Sequence, residues 1–113
     1  MTEKQREVLK RVRRRLEGGA WTQRAYARDA DGHKAPLGGE WACRWCLTGA
    51  VYCEIGPEMG GISLVSKLGG LLRREGQSVI DWNDAPERTL SDVLALLDRA
   101  IAPDGGERTE CLT

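Results

Sequence analysis

Between Thr89 and Ala102 the chain reads T-L-S-D-V-L-A-L-L-D-R-A-I-A, and this stretch limits the possible folds more than any other. Leu90, Val93, Leu94, Leu97 and Ile101 recur at three- and four-residue intervals, and Leu96 and Ala100 widen the stripe. That spacing predicts an amphipathic helix over 89–102, since residues three or four apart share a helix face. Thr89 has the side chain of an N-cap, and Asp92 sits where a carboxylate meets the positive end of the helix dipole. Pro103 and Gly105-Gly106 end the pattern, so 103–113 reads as a loose acidic tail. A helix with so wide an apolar stripe must be covered by other elements, and the rest of the chain supplies mostly helices.

Thr2 and Gln5 have capping-box spacing, and Val8, Leu9, Val12 and Leu16 follow at helical intervals. A first, basic helix is expected over 3–17, stopped by Gly18-Gly19. Trp21–Asp29 reads as a short helix or an extended piece, and 30–40, rich in Gly, Asp and Pro, as a loop. The apolar, small-residue run from Trp41 to Cys53 is read as a central buried helix over 42–54. Its Cys46, Gly49, Ala50 and Cys53 would share one face and admit another backbone closely. Ile62, Leu64, Val65, Leu68, Leu71 and Leu72 predict a helix over 61–74, with Arg73-Arg74 at its end and Gly76 as the stop. Gly69-Gly70 argues against its continuity, because glycine costs a helix interior about 1 kcal/mol relative to alanine. Ser78-Val79-Ile80 is read as extended and Asp81–Arg88 as a connector. The expected fold class is therefore all-α: a single domain over 1–113 with about four helices and room for one short extended segment.

With 41% hydrophobic and 30% charged residues, the chain is globular rather than disordered. No apolar run approaches the ~20 residues that span a bilayer. The charged start, Met-Thr-Glu-Lys-Gln-Arg, is unlike a secretory signal, so the cytoplasm is the expected location. In that compartment cysteines are thiols or metal ligands before they are disulfides. The zero net charge hides an asymmetry: residues 1–17 carry seven Lys/Arg against three Glu, and residues 81–113 carry eight Asp/Glu against three Arg. Opposite ends of this kind can pair the first helix with the last or offer two charged faces to partners. Neutrality also disfavours nucleic acid as a partner, because phosphate contacts supply most of that affinity.

Three constellations could carry chemistry. Cys43 and Cys46 have C-x-x-C spacing, and with Cys53 and His33 they make a possible zinc set. A lone C-x-x-C is a weak signal, and a cysteine among apolar neighbours behaves as a small hydrophobe. Cys46 could instead be a nucleophile, with His33 as the sole possible imidazole base and Asn83 or Asp84 orienting the ring. A loop histidine is more commonly a solvated side chain. The third constellation is a pocket of tryptophan and arginine, drawn from a chain with four Trp, two Tyr and no Phe. Trp21, Trp45 and Trp82, with Arg24, Arg28, Arg88, Asn83 and Asp84, could stack a planar group and clamp an anion. The same tryptophans could simply fill the core. Asn83 and Asp84, an amide and a carboxylate at a helix entrance, could bind a ribose hydroxyl, a metal or a partner backbone, or as turn and capping residues bond their own chain.

Three segments look like motifs: W-T-x-x-A-x-A-R-D from Trp21 to Asp29, W-C-x-x-G-A from Trp45 to Ala50, and W-N-D-A-x-x-R-T-x-x-D-V-L-x-L-L-D-R-A from Trp82 to Ala100. On these, the chain resembles an uncharacterised bacterial and phage family of small proteins, a domain of unknown function, over most of Trp21–Ala102. The resemblance implies no activity. It implies that the cysteine before G-A recurs while the C-x-x-C pair does not, which leaves Cys43 incidental. The residues it marks (Arg28, Asp29, Trp45, Cys46, Asn83, Asp84 and Arg88) could equally form a buried polar network. The expected function is a non-enzymatic, cofactor-free binding protein for a partner protein or a small anionic, nucleotide-like ligand. The phage look-alikes suggest an accessory that sequesters a signal or blocks a host defence protein. A thiol-dependent enzyme using Cys46 and a zinc-stabilised structural module are the alternatives.

Overall fold

The computed structural model describes residues 1–72 and 77–102. Expectations for the acidic tail at 103–113, and for Arg73-Arg74 and Gly76, fall outside them. Helix α1 spans Glu3–Leu16 and opens with the expected capping box: Thr2 Oγ1 accepts from the Gln5 backbone N–H, and the Gln5 side chain accepts from Thr2 N–H. Its buried residues are Val8, Leu9, Val12 and Leu16. Beyond it Gly19 adopts φ 103 and donates its N–H to Leu16 O at 3.0 Å, a turn that an L side chain would strain.

The chain then runs through a small antiparallel pair, β1 (Ala27–Arg28) and β2 (Arg44–Trp45), with Ala27 opposite Trp45. Helix α2 (Leu47–Glu54) follows, then a 3-10 turn at Pro57–Met59, α3 (Gly61–Gly69), α4 (Val79–Asp84) and α5 (Leu90–Ile101). Helix α1 packs against both α5 and α2. Arg13 Nε donates to Asp98 Oδ1 at 2.7 Å, so the oppositely charged first and last helices do meet. The core draws Val8, Leu9, Val12 and Leu16 from α1, Leu47, Ala50 and Val51 from α2, Leu64 and Leu68 from α3, Val79 from α4, and Val93, Leu96, Leu97 and Ala100 from α5. Every residue from Leu47 to Val51 is buried, so the first turns of α2 are enclosed, while Tyr52, Cys53 and Glu54 at its end are partly exposed.

The fold is mostly helical rather than all-α, and it holds five α-helices among the described residues. The helix expected over 42–54 begins at Leu47. Upstream of it the backbone N–H groups are taken by distant carbonyls: Cys43 donates to Arg28 O, Trp45 to Ala20 O and Cys46 to Tyr26 O. Apolar content cannot reveal such cross-chain pairing. The helix expected to reach residue 74 ends at Gly69, where the glycine pair removes both side-chain packing and helix preference. Ser78-Val79-Ile80 is not extended: Ser78 Oγ accepts from Asp81 N–H at 3.0 Å and caps α4, which absorbs half of the expected connector. Helix α5 has the bounds and N-cap that its sequence predicts, and Asp92 also accepts from Thr89 N–H to complete a capping box. Its buried side is Val93, Leu96, Leu97 and Ala100, so the face turns toward the expected flank and leaves Leu90, Leu94 and Ile101 partly buried.

Candidate functional site

Helix α4 is short, and each of its faces does something different. Val79 and Asn83, one turn apart, point into the core and are buried. Ile80 and Asp84, also one turn apart, line one cleft, and Trp82 lines another. The Asn83 amide is completely buried and fully partnered. Its Oδ1 accepts from Trp21 Nε1 at 2.7 Å and from Leu47 N–H at 3.1 Å, and its Nδ2 donates to Thr22 O at 3.2 Å and Asp84 Oδ1 at 3.0 Å. One side chain thus supplies the first turn of α2 with an acceptor, anchors the Trp21 indole and pins the loop after α1. Gln23 adds donations to Asn83 O and Ala85 O, at 2.8 and 2.9 Å.

Above this hub, Arg24 takes a left-handed backbone with φ 66, which is uncommon for a residue with a side chain. Its N–H donates to Asp84 Oδ1 at 2.8 Å, and that bond holds the strained turn. The turn forms the rim of a cleft of about 570 Å³ lined by Arg24, Tyr26, Lys34, Leu37, Ile80 and Asp84, with Cys46 at its floor. Tyr26 and Ile80 are exposed apolar residues on this rim. Arg24 and Lys34 make no ion pair among the described residues, so two unneutralised cations stand beside apolar walls. The floor is set by the close approach that the small residues of α2 predict. A Cβ on Gly49 would overlap the Tyr26 carbonyl, so only glycine lets this rim sit on the helix.

A second cleft, about 450 Å³, lies across α4 between Trp82, Ala85, Arg88, Asp92, Leu96 and Arg99. Arg88 is already engaged there: its guanidinium stacks 4.2 Å from the Trp82 ring, and its Nε donates to Trp82 O at 2.8 Å. Arg99 donates to Leu71 O. The residues crowded around the entrance of α5 therefore divide, Asp84 to one cleft and Trp82 and Arg88 to the other.

Of the remaining pocket candidates, Arg28 is spent inside its own loop, donating to Thr22 Oγ1, Gly32 O and Gln23 O. Trp45 lies under Arg15, 4.5 Å from ring to guanidinium, and its buried Nε1 has no hydrogen-bond partner among the described residues. Trp41 is 73% exposed on the loop before β2.

The cysteines and His33 do not form one ligand shell among the described residues. Cys46 Sγ is the N-cap acceptor of α2, taking the Gly49 N–H at 3.2 Å, and Cys53 donates to Leu37 O at 3.3 Å. Cys43 is exposed. His33 Nδ1 faces Asp29 Oδ2 at 3.9 Å, and no hydrogen bond joins it to Cys46 among the described residues. Asp29, Asp31 and His33 do converge, but Asp29 Oδ1 accepts from Asp31 and His33 N–H and so shapes the turn itself. Burial pushes the Cys46 thiol up from its ordinary value despite the helping Gly49 N–H, the reverse of an activated nucleophile. Burial raises Cys53 as well.

Sequence reasoning named Arg24 and Asp84 but missed Tyr26, Lys34, Leu37 and Ile80. The signal for Ile80 was the Ser78-x-x-Asp81 cap, which starts a helix and puts Ile80 and Asp84 on one face. Nothing local signals Lys34, which the hairpin turn brings round.

Residues 1–103 match the model of DUF6197, a family of unknown function, and the chain belongs to that family. Neither the curated proteins nor the solved structures include a match.

Proposed function

We propose that this protein is a small binding module whose cleft beside α4 takes an anionic ligand with an apolar or planar body. The observation that carries the reading is the pairing of Arg24 and Lys34, unneutralised among the described residues, with an apolar lining of Tyr26, Leu37 and Ile80. Its volume, about 570 Å³, lies within the range of small-molecule sites. Two cations that pair with no carboxylate among the described residues favour an anion. The left-handed turn at Arg24 adds support, because strained backbone concentrates where ligands are held. Binding is favoured over thiol chemistry because the sulfur at the floor caps α2, burial and the nearby Asp84 carboxylate favour its neutral form, and no hydrogen bond joins it to a base among the described residues. On this reading the protein sequesters a small signal molecule, in keeping with an accessory protein of phage or mobile elements.

Calorimetry with a panel of nucleoside monophosphates and other small organic phosphates tests the proposal. Arg24→Ala and Lys34→Ala should each weaken the tightest ligand about tenfold, the effect of one lost charge-assisted contact. The reading fails if no member of the panel binds, or if both variants bind as the parent does.

A further inference from the structure

The two oxygens of Asp84 have different surroundings. Oδ1 accepts from Arg24 N–H at 2.8 Å and from Asn83 Nδ2 at 3.0 Å, so it is committed to the fold. Oδ2 receives no hydrogen bond from any described residue, although Asp84 lines the cleft and is only partly exposed. Neither Arg24 nor Lys34 makes an ion pair with it among the described residues. The cleft therefore presents two cations and, paired with neither, a carboxylate oxygen that no described residue engages and that a ligand's donor can reach. An anion alone satisfies the first and is repelled by the second. A ligand that satisfies both is anionic at one end and carries neutral hydroxyl donors at some distance, while Tyr26, Leu37 and Ile80 offer a surface for an apolar or planar part.

We infer that Asp84 Oδ2 is the specificity-determining acceptor of this cleft, taking a sugar hydroxyl of a phosphorylated ribose that bears a base. The inference rests on the binding proposal above and adds the ligand's class to it. A carboxylate that accepts from a sugar hydroxyl discriminates sharply, because a bound ligand without the hydroxyl covers a charged acceptor and leaves it unpaired.

The test is calorimetry on the full chain with four kinds of probe: ribonucleoside 5′-monophosphates, their 2′,3′-dideoxy counterparts, ribose 5-phosphate and octyl phosphate. The wild-type protein should bind the best ribonucleotide at least about tenfold more tightly than its dideoxy counterpart, the worth of one hydrogen bond to a charged group. Ribose 5-phosphate, which lacks the base, should bind more weakly than that nucleotide. Asp84→Asn keeps an oxygen to accept from Arg24 and Asn83 and replaces only the free oxygen by an amide donor. It should erase the ribo-over-dideoxy preference and, with the repelling charge removed, tighten the binding of octyl phosphate. Equal wild-type affinity for ribo and dideoxy ligands, or tighter binding of octyl phosphate than of any nucleotide, overturns the inference while leaving the binding proposal standing. Absence of binding by all four kinds overturns both. The ribo/dideoxy comparison is made on the unmodified protein, so it decides the matter even if the Asp84 variant does not fold.

Discussion

Helices α1 and α5 bring Leu9, Val12 and Leu16 and Val93, Leu96 and Leu97 into one apolar cluster, every one of them at 3% exposure or less. Between Glu17 and Cys46 the chain buries only Ala27 and Cys46 among its hydrophobic residues. What holds that second region is hydrogen bonding to the end of α4: Trp21, Thr22, Gln23 and Arg24 all bond to Asn83, Asp84 or Ala85. The difference is one of redundancy. Apolar burial is spread over many side chains and has no direction, so a substitution removes a share of it. A buried amide that serves four partners is a single point of failure, since each partner left behind is a desolvated polar group.

The comparison can be broken by substitution, and the largest effect is expected at Asn83. Asn83→Leu keeps the size and removes the hydrogen bonds to Trp21, Leu47, Thr22 and Asp84, which should cost about 4 kcal/mol at typical penalties for unpaired buried groups. Urea unfolding measures the loss. Hydrogen exchange should place the loosening in 20–46 before it reaches α1 or α5. A loss below 1 kcal/mol, or exchange rising evenly through the chain, would show that the amide is not the anchor.

Leu97→Ala should cost about 3 kcal/mol through lost burial and the cavity left behind, with exchange rising across the helical region instead. If the two regions are held independently, the Asn83 and Leu97 substitutions add, and a double-mutant cycle that departs from additivity argues against the division.

A third effect depends on pH. Burial raises the Cys46 and Cys53 thiols above their ordinary values. The neutral thiol is thus favoured in the folded state, and its contribution is complete below the unfolded-state value and is lost as pH rises through the folded one. Stability should therefore fall at alkaline pH. At neutral pH iodoacetamide should label exposed Cys43 far faster than Cys46 or Cys53, and fast labelling of Cys46 would reopen the nucleophile reading.

Thr89→Ala removes the acceptor that caps α5 and should cost about 1 kcal/mol, visible as a lower thermal midpoint with the exchange pattern unchanged. The smallest effect is expected for Asp98→Asn. Arg13 and Asp98 bridge α1 and α5, but they lie at the surface, where solvent and salt weaken such pairs, so no loss should be measurable at 0.5 M NaCl.

Helix periodicity and capping were legible in α1 and α5 because they are local, and were missed at Ser78 and Cys46. Thr2 and Gln5 form the reciprocal cap that their spacing predicts, and Thr89 caps α5 as expected. The α1 stripe is the one buried, whereas in α5 burial centres on Val93, Leu96, Leu97 and Ala100 rather than on Leu90, Leu94 and Ile101. The same local signals fail between Trp41 and Cys46, where the residues are as apolar as those of α2 yet donate their N–H groups to Ala20, Tyr26 and Arg28. No pattern within the segment records those partners.

The site divides in the same way. Its residue types could be read from the sequence, and Arg24, Asp84 and Asn83 were named from it. Their roles were set by tertiary structure. Asn83 went to the core because α4 turns Val79 and Asn83 inward, while Ile80 and Asp84 came to the cleft on another face of the same helix. Lys34 reached that cleft through the hairpin that follows β1, and Tyr26 through a backbone contact that only Gly49 permits. A sequence by itself determines which segments can coil and which side each must bury, because those preferences act over three or four residues. It leaves open which distant groups complete a buried amide or a cleft, because that depends on how whole elements pack.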